Sequence, residues 1–218
     1  MTSFVDWFMA GSMIEASNIV RHDQNVSRET FSLLTNYVNL LLKWNSKINL
    51  IGPMTEPAIW SRHIDDSLQL VEHLPETATN LVDLGSGAGL PGLVIAIARP
   101  DLAATLVEQD QRKAAFLNEA KRVLALSNVT VEAKNITEIK GAFDVVTARA
   151  LAPLSQLLSY AKPLLRGNQS FCLFPKGENH AAELTEARQT WQFVNQNFPS
   201  KTNAQSAIVT VAQLQPLA

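Results

Sequence analysis

Apolar residues fall at helical spacing over residues 31–42, through Phe31, Leu34, Val38, Leu41 and Leu42, with Ser27 and Thr30 ahead of them as candidate caps. Pro53 and Pro57 interrupt this pattern, which resumes over 62–74 with Ile64, Leu68 and Val71 on one face. Residues 75–79 then read as a boundary. After Asn80 the period changes. Short unbroken apolar runs at 81–84, 104–107, 129–131, 143–146 and 170–174 are separated by helical stretches at 92–98, 111–126 and 154–165. Unbroken runs fit strands buried on both faces, and strands spaced by helices predict βαβ units and a parallel sheet. Residues 179–197 read as a further helix and 207–211 as a last strand. The expected fold is α/β: a mostly parallel sheet domain over 77–218, preceded by a small helical segment over 1–76.

Composition narrows the function without fixing it. The chain has 218 residues, of which 46% are hydrophobic and 17% charged, enough to bury a core without disulfide or metal staples. Its net charge of −2 excludes a protein that coats nucleic acid by bulk charge. The acidity lies before Asn80, and the remainder is slightly basic, so local contact with RNA stays open. Cys172, the single cysteine, sits in the apolar run Phe171-Cys172-Leu173-Phe174 and reads as a small buried hydrophobe, which suits a reducing compartment. The first 13 residues contain Asp6 and no Lys or Arg, so the positive start of a signal peptide is missing. No run approaches the length of a membrane span. A cytoplasmic protein is expected.

The richest stretch is Asp83-Leu84-Gly85-Ser86-Gly87-Ala88-Gly89-Leu90-Pro91-Gly92, which follows the first predicted strand and opens a helix. Glycines there let the backbone turn and approach a ligand, and the helix N-terminus offers free N–H groups. Gly87-x-Gly89-x-x-Gly92 satisfies a dinucleotide-binding pattern, with Glu108 about 20 residues on as an acid for ribose hydroxyls. Gly85 makes the series Gly-x-Gly-x-Gly after an acid, the shape of loop in S-adenosylmethionine (AdoMet) methyltransferases. Both cofactors are compatible with the loop alone.

Other segments bear on that choice. Trp44-Asn45-Ser46-Lys47-Ile48-Asn49-Leu50, Arg62-His63-Ile64-Asp65-Asp66-Ser67-Leu68, the glycine loop, Phe143-Asp144-Val145-Val146-Thr147-Ala148-Arg149-Ala150 and Phe174-Pro175-Lys176-Gly177 occur in that order. Together, over about 37–177, they resemble the bacterial small-subunit (16S) ribosomal RNA guanine-N7 methyltransferase family, also called glucose-inhibited division protein B. The resemblance implies a class I, Rossmann-like AdoMet-methyltransferase sheet with a short helical N-terminal segment. It implies methylation of one guanine in a decoding-region loop, with 16S ribosomal RNA or the small ribosomal subunit as partner. Carried over by position, it implies AdoMet contacts from Gly85, Gly87, Gly89 and Leu90, and a ribose-binding acid at Glu108. It also implies that Ile136 and Thr137 flank adenine and that Arg149 stands near the cofactor and the RNA entrance. Two departures qualify this. Asn135-Ile136-Thr137 stands where the family often has Arg-x-Glu, so backbone contacts are expected there; and the last strand lacks the basic residues many members carry.

Guanine N7 presents a lone pair and no proton at neutral pH, so methyl transfer to it needs positioning and no general base. This fits the lack of a Cys nucleophile or His–Asp pair near the fourth predicted strand. Thr147-Ala148-Arg149-Ala150 stands where an amino-directed methyltransferase would carry Asn/Asp-Pro-Pro-aromatic. No catalytic residue is assigned; Arg149 and Lys176 are candidates, Arg149 as a binder of the AdoMet carboxylate or an RNA phosphate. Lys43, Lys47, Arg62, His63 and Lys176 are candidates for RNA contact, and Trp44 either stacks on a base or packs in the core. No metal-ligand spacing or heptad seam appears, so a monomer without metal is expected. The alternatives are a methyltransferase of another RNA or a small molecule, an NAD-dependent oxidoreductase, and a cofactor-binding RNA module without catalysis.

Overall fold

In the computed structural model, which describes residues 26–217, the first element of the described residues is α1 (Arg28–Asn45). The N-terminal segment read above for a signal peptide lies outside the described residues. Ser27 caps α1, its Oγ accepting from Thr30 N–H at 3.1 Å. Leu34, Tyr37, Val38 and Leu41 form the buried stripe; of the predicted positions Phe31 is exposed and Leu42 only partly buried, and Tyr37 takes a place the apolar pattern did not include.

A mixed helical run follows, with a π segment at Trp60–Asp65, an α turn at Asp66–Leu68 and 3-10 turns at Gln69–His73. The predicted helix over 62–74 is therefore present but not uniform. The changes of pitch rotate its faces, so that Leu70 is buried and Val71 only partly so. Asp65, Ser67 and Gln69 are buried as well.

The sheet comprises β1 (Asn80–Leu84), β2 (Ala103–Val107), β3 (Val129–Glu132), β4 (Val145–Thr147), β5 (Phe171–Lys176), β6 (Trp191–Pro199) and β7 (Ala207–Pro216). Its order is β3-β2-β1-β4-β5-β7-β6, with the first five strands parallel and β7 antiparallel to both β5 and β6. Between them lie α2 (Gly92–Ala98), α3 (Gln111–Val123), α4 (Leu154–Ala161) and α5 (His180–Ala187). Successive strand residues face opposite sides. Leu81 and Leu106 join the core under α1, α2 and α3, whereas Val82 and Val107 join a second core with Leu154, Leu158 and Leu184.

One prediction is overturned. Residues 179–197 do not form a single helix: α5 ends at Ala187 and β6 begins at Trp191. The polar residues around Asn195 mask a strand whose stability comes from ladder pairing with β7, later in the chain. The helix expected over 154–165 likewise ends as α at Ala161 and continues as 3-10 turns at Lys162–Leu164, with Pro at its start.

Strand order reverses at β1 and β4: from β1 the chain builds outward through β2 and β3, then returns to place β4 on the other side. Ligands in open α/β sheets bind at the carboxyl ends of strands at such a point. The glycine loop leaves β1 there, and Arg149 leaves β4 beside it.

Candidate active site

The loop between β1 and α2 is fastened from below. Ser86 N–H donates to Val107 O (2.9 Å), Gly89 N–H to Ser86 O (2.7 Å) and Gly92 N–H to Asp83 Oδ2 (3.1 Å). A fourth fastening comes from the helical segment, where Tyr37 donates its hydroxyl to Ala88 O at 2.6 Å. Gly87 takes φ +55°, and a Cβ there would find no heavy atom nearer than Gly85 O at 3.9 Å. A Cβ on Gly92 would instead meet Leu106 at 2.5 Å and Asp83 at 2.6 Å. Gly87 thus faces open space, while Gly92 lets α2 pack against the sheet.

Glu108, just past β2, is buried and bridges two loops: Oε2 accepts from Gly87 N–H and Oε1 from Asp110 N–H, each at 2.8 Å. A carboxylate has about four acceptor positions, so capacity remains for ribose hydroxyls. Beneath the loop Asp83 is fully buried, and its Oδ1 has no hydrogen-bond partner among the described residues. Burial pushes its carboxyl up to about 6.

Beyond β4, Arg149 is held by the helical run. Its Nη1 lies 3.2 Å from Asp66 Oδ2 and 3.4 Å from Arg62 O, and its Nη2 lies 3.1 Å from His63 Nδ1. A guanidinium can only donate, so Nδ1 of His63 accepts and the ring proton sits on Nε2, donated to Thr55 Oγ1 at 2.8 Å. Burial, aided by the Arg149 charge, lowers His63 to about 4 and keeps it neutral near pH 7. Asp66 Oδ1 in turn accepts from Thr202 in the β6–β7 turn at 2.7 Å, so one carboxylate joins three elements. Ala150 follows with φ +52°, a conformation that side chains rarely adopt.

Two cavities meet at Gly85, Gly87 and residues 150–152. The larger, about 880 Å³, runs from the glycine loop past Arg149 to the β6–β7 turn at Ser200–Ala207. The smaller, about 370 Å³, is lined by Glu108, Asn135 and Ile136. Of the predicted site residues, Leu90, Arg149, Arg62, His63 and Lys176 line the larger cavity, and Glu108 and Ile136 the smaller. Gly89, packed on Leu93 and Leu117, and Thr137, hydrogen-bonded to Asn135, line neither; Lys47 is exposed away from both. Lys176 is bound by Glu183 at 2.6 Å and by Ala152 O, and Glu183 also caps Leu154 N–H. Trp44 packs edge-on against Phe116.

Sequence reading missed Tyr37, Gln69 and Thr202 as parts of this site. A tyrosine inside an apolar helical stripe was the available signal, because a buried phenol needs a hydrogen-bond partner. Nothing comparable marked Thr202, which depends on the β6–β7 hairpin that stands in place of the predicted helix. Among the described residues no His, Cys, Asp and Glu group is arranged to hold a metal, and no helix is long and apolar enough to cross a membrane.

The residues fit an AdoMet-sized group. The space above Gly87 would be filled by any side chain there, and Glu108 retains acceptor capacity at the smaller cavity. Sheet order, switch-point loop and these cavities define a class I AdoMet-dependent methyltransferase fold. Solved structures agree: a glycopeptide N-methyltransferase complexed with AdoMet superposes with a TM-score of 0.56 at 10% identity, covering 69% of this chain and 93% of that one. A predicted O-methyltransferase of Agrobacterium tumefaciens gives 0.55 at 17% identity, covering 68% and 80%. Within that class, the chain belongs to the rRNA small subunit methyltransferase G (GidB) family, which it matches over residues 30–209. The ribosomal RNA small subunit methyltransferase G of Gluconobacter oxydans is 48% identical over 87% of this chain and 97% of its own length. That of a Methylobacterium species is 46% identical over 88% and 92%.

Proposed function

We propose that the protein transfers the methyl group of AdoMet to N7 of one guanine in 16S ribosomal RNA, acting as a cytoplasmic monomer on the RNA or the small subunit. The observation that carries this reading is the larger cavity. It opens on the glycine loop at one end and leaves room for a nucleotide at the other.

The charged side chains of that cavity support it. Asp66 pairs with Arg149 and Glu183 with Lys176, whereas Arg62 and Glu186 have no ion-pair partner among the described residues. Arg62, exposed at the rim, is suited to an RNA phosphate. His63 is engaged at both ring nitrogens and so is not poised to remove a proton, and N7 has none to give.

Bound AdoMet supplies a methyl group on a sulfonium, which needs only a correctly placed nucleophile. Gly85, Gly87 and Leu90 would hold the cofactor along the loop, with Gly89 shaping the turn. Glu108 would take the ribose, Ile136 would lie against adenine, and Asn135 would fix the backbone at Thr137. Arg149, steadied by Asp66 and His63, would bind the cofactor carboxylate or an RNA phosphate at the junction of the two ligands.

Calorimetry with AdoMet, followed by tritiated-methyl transfer to under-methylated small subunits and mass-spectrometric mapping, tests the reading. Wild type should bind AdoMet and label one guanine at N7. Gly87→Asp should fold and bind none, because its side chain projects into the cavity beside the Glu108 carboxylate. Arg149→Ala should reduce methylation far more than it lowers the unfolding midpoint. No AdoMet binding by wild type, or labelling confined to small metabolites, defeats the reading.

A further inference from the structure

Tyr37 lies in the middle of α1, 51 residues before the carbonyl it binds. Its side chain is fully buried, and its ring rests 6.5 Å from that of Phe116 in α3, so the hydroxyl has little freedom to turn elsewhere. The acceptor, Ala88 O, belongs to the crest of the glycine loop between Gly87 (φ +55°) and Gly89 (φ +89°). The 88–89 peptide is held at both of its polar groups: Gly89 N–H donates to Ser86 O within the loop at 2.7 Å, and Ala88 O accepts from Tyr37, the one of these two restraints that comes from outside the loop. The remaining fastenings, at Ser86, Gly87 and Gly92, come from the sheet side, so Tyr37 supplies the crest's restraint from the helical side.

We propose that Tyr37 is a positioning residue for the cofactor: through the Ala88 carbonyl it fixes the crest of the loop, so that AdoMet affinity depends on a hydroxyl that does not line the cofactor cavities. The inference rests on the reading that this loop binds AdoMet. Without the hydroxyl, a buried carbonyl is left without its donor, and turning the 88–89 peptide toward water in the larger cavity, which Ala88 lines, would break the Gly89 N–H to Ser86 O bond and distort the crest. The loop would then reorder each time the cofactor binds. The helical segment, besides covering the sheet, would thereby act as part of the cofactor site.

Tyr37→Phe tests this, because it removes one oxygen and keeps the ring. The dissociation constant of S-adenosylhomocysteine and the KM for AdoMet should both rise about tenfold, the order expected for a lost buried hydrogen bond. kcat at saturating AdoMet and KM for the small subunit should stay within about twofold of wild type, since the acceptor end of the cavity is untouched. Leu41→Ala, one turn further along the same buried stripe and with no polar group to offer the loop, should lower the unfolding midpoint yet leave cofactor affinity unchanged. Wild-type affinity in a folded Tyr37→Phe protein, or equal weakening by Leu41→Ala, overturns the inference. Should Tyr37→Phe not fold, Tyr37→3-fluorotyrosine keeps the ring and makes the hydroxyl a stronger donor; cofactor affinity must then rise, and an unchanged value overturns the inference. Failure of wild type itself to bind AdoMet would defeat the proposed function instead, and is measured first.

Discussion

Asp83 holds a carboxyl group in the core beneath the loop, with Oδ2 bonded to Gly92 N–H and Oδ1 unpartnered. Because burial raises it to about 6, ionising it in the folded protein opposes stability. That penalty is absent below about pH 4, grows as pH rises toward about 6 and is complete above it. Asp83→Asn should therefore stabilise the protein by about 1–2 kcal/mol at pH 7.5, with the gain fading as pH falls toward 4. Urea unfolding at both pH values checks this; an equal effect at each would place the cause elsewhere. The sequence marked Asp83 as the acid before the glycines, and Gly87 as a place of close approach. It could not separate Gly87, which faces open space, from Gly92, which is demanded by Leu106 and Asp83. That distinction depends on what crosses over the loop in space.

At the scale of elements, strands β1 to β5 and helices α2 to α4 were legible because each has its own apolar period and its own breaker. The last strand, β7, was legible from its apolar run at 207–211, but its hairpin with β6 was not, because β6 carries polar residues and acquires its ladder from that later strand. The miss mattered, since the turn of this hairpin completes the cavity wall. Gln69, almost fully buried in the mixed helical run, fastens it: Oε1 accepts from Lys201 N–H at 2.8 Å, and Nε2 reaches Ser200 Oγ at 3.2 Å and Asp66 Oδ1 at 3.0 Å. Gln69→Ala should cost about 2 kcal/mol, the order for stranding buried polar groups, and should release the turn. Hydrogen exchange should quicken over 200–206 while β1 to β4 keep their protection. Unchanged exchange in the turn would mean that Lys201–Glu72 and Thr202–Asp66 suffice to hold it.

Across the whole molecule, a net charge of −2 and a cavity whose cations are mostly paired leave few groups to displace counterions from RNA. The apparent affinity for the small subunit should fall with salt at a log–log slope no steeper than about −3, since each phosphate neutralised contributes roughly −0.7 to −0.9. Binding measured across a salt series decides it, and a slope near −8 would require an extended basic face. Shape must then supply much of the recognition, and shape depends on a sheet whose order, β5-β7-β6, seats the last strand between two earlier ones. During synthesis β6 leaves the ribosome before the strand that will neighbour it, and β5 waits with an open edge. The glycine loop can take shape while the chain is still being made, but the hairpin turn cannot reach Asp66 until β7 has emerged and threaded into place. Translation thus delivers the glycine loop and its switch point first and the far wall of the larger cavity last, so the cavity is complete only once the final strand has been made.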